Sequence, residues 1–149
     1  MVQNCPLCNT LSSVFYENMK QLFYHCNCCY GIFKDKGFLL SKELEFNHYK
    51  NHNNEPNDEG YQKFVAPVVL SVFKDFNPGH SGLDYGAGSG SAIFKLLNDQ
   101  NFQIEQYDPF FYNFKELLAK KYHYIVCCEV IEHFHHPYHE FSRLKKMLL

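Results

Sequence analysis

The sequence predicts an α/β protein: a Rossmann-like parallel sheet preceded by a small zinc ribbon. Three observations predict it. Residues Leu83 to Gly90 read Leu-Asp-Tyr-Gly-Ala-Gly-Ser-Gly, a short strand that runs into a glycine-rich turn and opens a helix. The apolar stretch Phe102 to Tyr107 ends in a second acid, Asp108, 18 residues after the last glycine of that turn. Near the start of the chain, two C-x-x-C pairs, Cys5/Cys8 and Cys26/Cys29, stand seventeen residues apart.

The cysteine pairs come first in chain order and define a region 1–40. Two thiolates three residues apart on a tight turn reach one tetrahedral ion at ~2.3 Å, and two such turns close the site. The spacing falls in the zinc-ribbon range. Val14-Phe15-Tyr16 and Leu22-Phe23-Tyr24-His25 between the pairs read as a small hairpin, and Gly31 allows the second turn. Four thiolates leave no open position, so the expected Zn2+ is structural. Cys28 leaves an alternative, because C-x-C also binds metal: the fourth ligand is Cys29 in preference to Cys28. Seven cysteines, an odd number without a secretory leader, fit reduced thiols in a cytoplasmic protein. Cys127 and Cys128 read as small buried hydrophobes within a strand.

Residues 41–78 form a helical connector. Ser41 to His52 reads as a short helix followed by an exposed loop that ends in Asn57-Asp58-Glu59-Gly60. His48 and His52 share a helix face and read as polar side chains on a lid rather than half of a metal site. Tyr61 to Phe76 reads as a second helix, with Phe64, Val65, Val68, Val69, Val72 and Phe73 on one face and Pro67 in its first turns. Asn77-Pro78-Gly79 stops it.

The sheet region follows at 79–149. Glycines at alternate positions let the backbone turn sharply and approach a ligand closely. A glycine turn plus an acid on the second strand is how a Rossmann-type sheet holds a nucleoside. The pattern here, D-x-G-x-G-x-G, differs from the G-x-G-x-x-G of dinucleotide sites. Tyr122 to Glu129 is β-rich and apolar, as a buried parallel strand should be. It leads into Val130-Ile131-Glu132-His133-Phe134, then His135-His136-Pro137 and a helical Tyr138 to Leu149.

The D-x-G-x-G-x-G turn and "YHYIVCCEVIEHFHHP" resemble class I S-adenosylmethionine-dependent methyltransferases. Across essentially its whole length the chain resembles a bacterial group of these enzymes that carries an N-terminal zinc ribbon. The resemblance implies that Asp84 and the turn Gly86, Ala87, Gly88 and Gly90 face the methionine and ribose of S-adenosylmethionine, and that Asp108 binds the ribose hydroxyls. It implies Pro109, Phe110 and Phe111 as packing for the adenine ring in place of a missing third-strand acid, a role shared equally with plain core packing. Tyr49, His52 and Tyr61 are implied as pocket lining, because the segment before the first strand often folds over the cofactor in this family.

Glu129, Glu132 and His133 follow the fourth strand, on the rim where methyl acceptors sit. On a helical turn, positions i, i+3 and i+4 share a face, so two carboxylates and an imidazole would converge. That predicts a catalytic group, with His133 as general base, or a site for a second divalent ion; Glu129 also counts with the cofactor loop. His135, His136 and His139 add imidazoles nearby.

Two departures from the family pattern stand out. Only the thirteen residues Pro109 to Lys121 separate Asp108 from Tyr122, room for a turn and one short helix. The chain also stops at Leu149, which the pattern places inside the helix before a fifth strand. The expected sheet is therefore incomplete, the chain a C-terminally truncated form with an uncovered strand edge, prone to self-association and weak in activity.

A net charge of −2 argues against an extended nucleic-acid surface and leaves only a local basic patch open. No apolar run approaches the ~18 residues of a membrane span. The expected partner is a methyl acceptor, a small molecule in preference to RNA. The alternative from a different class is a non-catalytic zinc-ribbon and Rossmann module that binds a partner.

Overall fold

Val2–Asn4 (β1), Leu11–Asn18 (β2), Gln21–His25 (β3) and Ile32–Lys34 (β4) form an antiparallel sheet in the order β1-β2-β3-β4. The computed structural model describes residues 1–50 and 55–149. The predicted hairpin is the β2–β3 pair, with an irregularity between Val14 and Tyr16. The outer strands were not predicted; three residues each are too few to show a period of two. Leu22 and Tyr24 are buried, and Tyr24 stacks on Phe33 at 5.6 Å. That is a small core, of the kind that needs a staple.

Lys42–Lys50 (α1) and Glu59–Asp75 (α2) follow as two helices. The Asp58 carboxylate accepts from the amide of Tyr61 at 2.7 Å and caps α2. The helix therefore starts before Tyr61, and Pro67 lies in its interior rather than in its first turns. Val65, Val69 and Val72 are buried, whereas Phe64 is exposed, so the apolar face is narrower than the sequence pattern. His52 lies outside the described residues, as does the side chain of His48.

Ser81–Tyr85 (β5), Gln103–Tyr107 (β6) and Tyr124–Val126 (β7) form a parallel sheet in the order β6-β5-β7. Ala92–Asn98 (α3) connects β5 to β6, and Pro137–Met147 (α4) follows β7. Between β6 and β7 the predicted short helix is a single 3-10 turn at Lys115–Ala119. Alternation sorts the strand residues onto two faces. Ile104, Tyr124 and Val126 pack with α2 and α3, while Leu83, Tyr85, Tyr107 and Tyr122 pack with Leu144 and Met147 of α4. Gly82 is a close approach: a Cβ there would stand 2.1 Å from the Tyr124 ring.

β7 is shorter than predicted and ends at Val126, so Cys127 and Cys128 lie just past it. They pack on opposite faces as small hydrophobes, and burial pushes the Cys127 thiol up to about 12. The last helix also ends earlier. Leu148 has extended backbone and forms a parallel bridge with Tyr122, so it has left the helix and lies beside β7. Among the described residues, no helix is long and apolar enough to cross a membrane.

Candidate functional site

The first candidate site is the cysteine cluster. Cys5, Cys8, Cys26 and Cys29 bring their sulfurs within 4.8 Å of one another. The Cys5–Cys29 and Cys8–Cys26 Sγ pairs stand 3.6 Å and 3.4 Å apart. A disulfide would need about 2.05 Å. Four sulfurs at ~2.3 Å from one tetrahedral ion would stand ~3.8 Å apart. The spacing is near that value, so the group could hold a metal ion. Tight turns build it: the Asn9 amide donates to the Cys5 carbonyl, and the Cys26 amide to that of Gly31. Cys28 is exposed and its sulfur is not among the four that cluster; Cys29 is.

The thiols titrate unevenly. Hydrogen bonds from Thr10 draw the Cys8 thiol down to about 6. The Gly31 amide acts the same way on Cys29, but desolvation and the adjoining sulfurs outweigh it and push Cys29 up to about 12. Crowded sulfurs resist becoming thiolates together, and a bound dication would invert that balance.

The second candidate site lies at the carboxyl ends of β5, β6 and β7. β5 is central, with its two successors on opposite sides, so the chain order reverses there. Open α/β sheets bind ligands at this topological switch point. The turn after β5 has positive φ at Gly86 (83°) and Gly88 (65°). The Gly86 and Ala87 amides donate to the Tyr107 carbonyl at 2.8 Å and 3.2 Å. The Gly88 amide donates to Oδ2 of Asp108 at 3.0 Å. Oδ1 of Asp108 accepts from the Phe110 and Phe111 amides. Asp108 is thus the buried clasp between the glycine turn and the end of β6.

Asp84 is buried beneath the turn, where the Ser91 hydroxyl donates to it at 2.5 Å. Ser91 Oγ in turn accepts from the Phe94 amide and caps α3. Desolvation raises the Asp84 carboxyl to about 6 against the Ser91 hydrogen bond, and Asp108 adds to the rise. Gly90 is buried at the end of the turn, and Pro109 is exposed beyond the clasp.

Helix α1 reaches this edge. Phe46 lies 5.6 Å from Phe110 and 6.0 Å from Phe111, ring centre to ring centre. Tyr49, three residues on, meets His133 edge-on at 5.5 Å. Burial, with the charges of Glu45, Glu132, Asp108 and Glu129, pushes the Tyr49 phenol up to about 12. Tyr61 of α2 comes up beside Asp84, and burial followed by that charge raises its phenol. Phe46 had no sequence signal of its own; its spacing from Tyr49 shows its role only once the helix is placed.

One expected grouping does not form. Glu129, Glu132 and His133 are not on one helical face, because Glu129 has φ 53° and only Ile131–His133 makes a 3-10 turn. Glu132 and His133 are neighbours, Oε1 to Nε2 3.9 Å, and Glu129 forms no converging donor group with them. Among the described residues, the four cysteines are the one group whose donor atoms converge as a metal site requires, so a second divalent ion at Glu129, Glu132 and His133 finds no preformed cage.

A family model described as a methyltransferase domain matches residues 57–148. The chain belongs to that family. No curated protein and no solved structure matches it. The methyltransferase domain takes in α2, the three parallel strands, α3 and α4. Within the methyltransferase domain fall the glycine turn, Asp84, Asp108, Glu129, Glu132 and His133; the cysteine cage and α1 precede it.

Proposed function

We propose that this chain is an S-adenosylmethionine-dependent methyltransferase whose N-terminal region, residues 1–40, is a ribbon held by one structural zinc ion. Residues 41–78 act as connector and lid, and 79–149 as the cofactor-binding sheet. The Asp108 clasp at the switch point carries the reading. A buried carboxylate and a glycine turn stand side by side there, which supports a nucleoside site. A carboxylate offers about four acceptor positions. Three amides use three of them, which leaves one for a ribose hydroxyl.

The charge at this edge fits the cofactor. Asp84, Asp108, Glu129 and Glu132 make it acidic, and a sulfonium is a cation, so opposite charge favours binding. Phe110, Phe46 and the exposed Pro109 offer apolar surface to the adenine ring. When bound, S-adenosylmethionine supplies an electrophilic methyl: an acceptor lone pair forms the new bond to carbon, the S–C pair stays on sulfur, and an acceptor proton goes to a base. His133 is the proposed base. It is half-buried on the rim, Tyr49 meets its ring edge-on, and Oε1 of Glu132 stands 3.9 Å from its Nε2. Glu129, held in a conformation that costs about 1–3 kcal/mol for a residue with a Cβ, borders the cofactor.

The cage chemistry suits zinc. Four thiolates without an open position make a structural site. The ribbon core is too small to hold the sheet β1–β4 on its own.

Calorimetric titration with S-adenosylmethionine and S-adenosylhomocysteine tests the proposal. Saturable binding by the wild type, weakened in Asp108→Ala, is the expected result. Absence of binding to either ligand leaves the non-catalytic binding module as the reading to pursue.

A further inference from the structure

A cleft of about 550 Å³ separates the ribbon from the segment after β7. Leu7, Ile32 and Leu40 line it on the ribbon side, and Ile131 and Phe141 on the other. All five are among the exposed large hydrophobic residues, from Leu7 at 38 % to Ile32 at 53 %. Apolar side chains scattered singly over a surface need no explanation, but a cluster that faces one cavity marks a binding site. The volume lies within the range of about 300–1,000 Å³ typical of small-molecule pockets, which are mostly apolar with a few polar groups.

The segment that lines one wall of the cleft also passes the glycine turn. Val130 lies against that turn, its Cγ2 only 2.5 Å from where a Cβ on Gly86 would stand. The next three residues, Ile131, Glu132 and His133, line the cleft. Five residues, Glu129 to His133, therefore run from the end of β7 past the glycine turn into the cavity. Phe134 continues the wall, edge-on to both Tyr85 of β5 and Phe141 of α4. The wall nearest the turn is thus tied to the sheet core, and the opposite wall belongs to the ribbon.

We propose that this cleft holds the methyl acceptor, and that the acceptor is a small, largely apolar molecule carrying a protic group toward Glu132 and His133. This rests on the methyltransferase reading above. The ribbon then has a second job besides being held by its metal: it supplies half of the acceptor pocket. Specificity resides in the ribbon-side residues Leu7, Ile32 and Leu40, which lie outside the methyltransferase domain.

The test uses the full chain and the dye 1-anilinonaphthalene-8-sulfonate, whose fluorescence rises in apolar sites. The wild type should bind it at one saturable site, and 2-naphthol, a small apolar alcohol, should displace it. Ile32→Asp and Ile131→Asp, changes on opposite walls at half-exposed positions, should each weaken dye binding about tenfold or more and likewise weaken displacement by uncharged 2-naphthol, because each places a charge against apolar rings. Unchanged zinc content and far-ultraviolet circular dichroism establish that both variants fold. Dye binding indifferent to either substitution overturns the proposal. So does a wild-type dimer that Ile32→Asp converts to monomer, since a second copy would then cover the cleft. Displacement by a single-stranded RNA oligonucleotide but not by 2-naphthol also overturns it. S-adenosylhomocysteine titrated into the same samples separates the two readings. If it binds and the dye result fails, only the acceptor cleft falls. If it does not bind, the methyltransferase reading falls with the acceptor role.

Discussion

The amide of Gly88 donates to the carboxylate of Asp108 across 3.0 Å and ties the glycine turn to the end of the neighbouring strand. The same carboxylate accepts from Phe110 and Phe111, so one side chain organises both loops at the switch point.

Asp108→Ala should therefore lose stability as well as ligand affinity. Three amides lose their acceptor, at a cost of about 2 kcal/mol or more if only part of them reach water. Affinity for S-adenosylhomocysteine should fall by about 1.5–3 kcal/mol through the lost charge-assisted bonds. Asp108→Asn keeps an oxygen for Phe110 and Phe111 but presents an NH2 to Gly88, and should fall between. Thermal melts and calorimetry on both variants check this; wild-type affinity in Asp108→Ala would show that the ribose lies elsewhere.

Asp84 predicts a pH dependence. Its carboxyl is raised to about 6 in the fold, against about 3.9 in an unfolded chain. Between these values the folded protein keeps a proton that the unfolded chain has lost. Stability should fall as pH rises from about 4 to about 6 and level off above, a total of about 3 kcal/mol at most. Asp84→Asn can still accept from Ser91, and should stabilise by about 1–3 kcal/mol at pH 7.5 with the gain fading toward pH 4. Urea unfolding at the two pH values measures it; an equal gain at both would contradict the mechanism.

The cysteine cage predicts a sharp contrast between neighbours. The wild type should carry about one zinc per chain. Cys26→Ser should lose the metal and melt the ribbon, because metal-binding energy is folding energy in so small a unit. Cys28→Ser should keep both, its sulfur being outside the cage. Elemental analysis decides, and zinc loss in Cys28→Ser would reassign the fourth ligand.

Gly86 has φ 83°, and a Cβ there would meet Val130. Gly86→Ala should destabilise by about 1–3 kcal/mol through backbone strain and overpacking. Adding Val130→Ala should recover the overpacking share and leave the strain. A double-mutant cycle in denaturant quantifies the coupling, and strict additivity would mean that the two residues do not touch.

The sequence by itself determined the elements whose cause is local. The cysteine spacing, the glycine turn and Asp108 are short motifs in which chemistry and backbone geometry dictate neighbouring residues, and the helix of Val65, Val69 and Val72 has a period that buried side chains impose. The three-residue strands β1 and β4 were not legible, since their hydrogen bonds come from partners distant in the chain. Only the tertiary structure separates Cys28 from Cys29, because the two differ in burial and in which sulfur joins the cluster, not in type. It also broke up Glu129, Glu132 and His133, whose expected convergence assumed a helix that the positive φ of Glu129 interrupts. It placed Phe46 and Tyr49 of α1 against Phe110 and His133, and set Ile32 of the ribbon across a cleft from Ile131. Those meetings depend on how separate elements pack, and packing is settled by the whole buried surface rather than by any one segment.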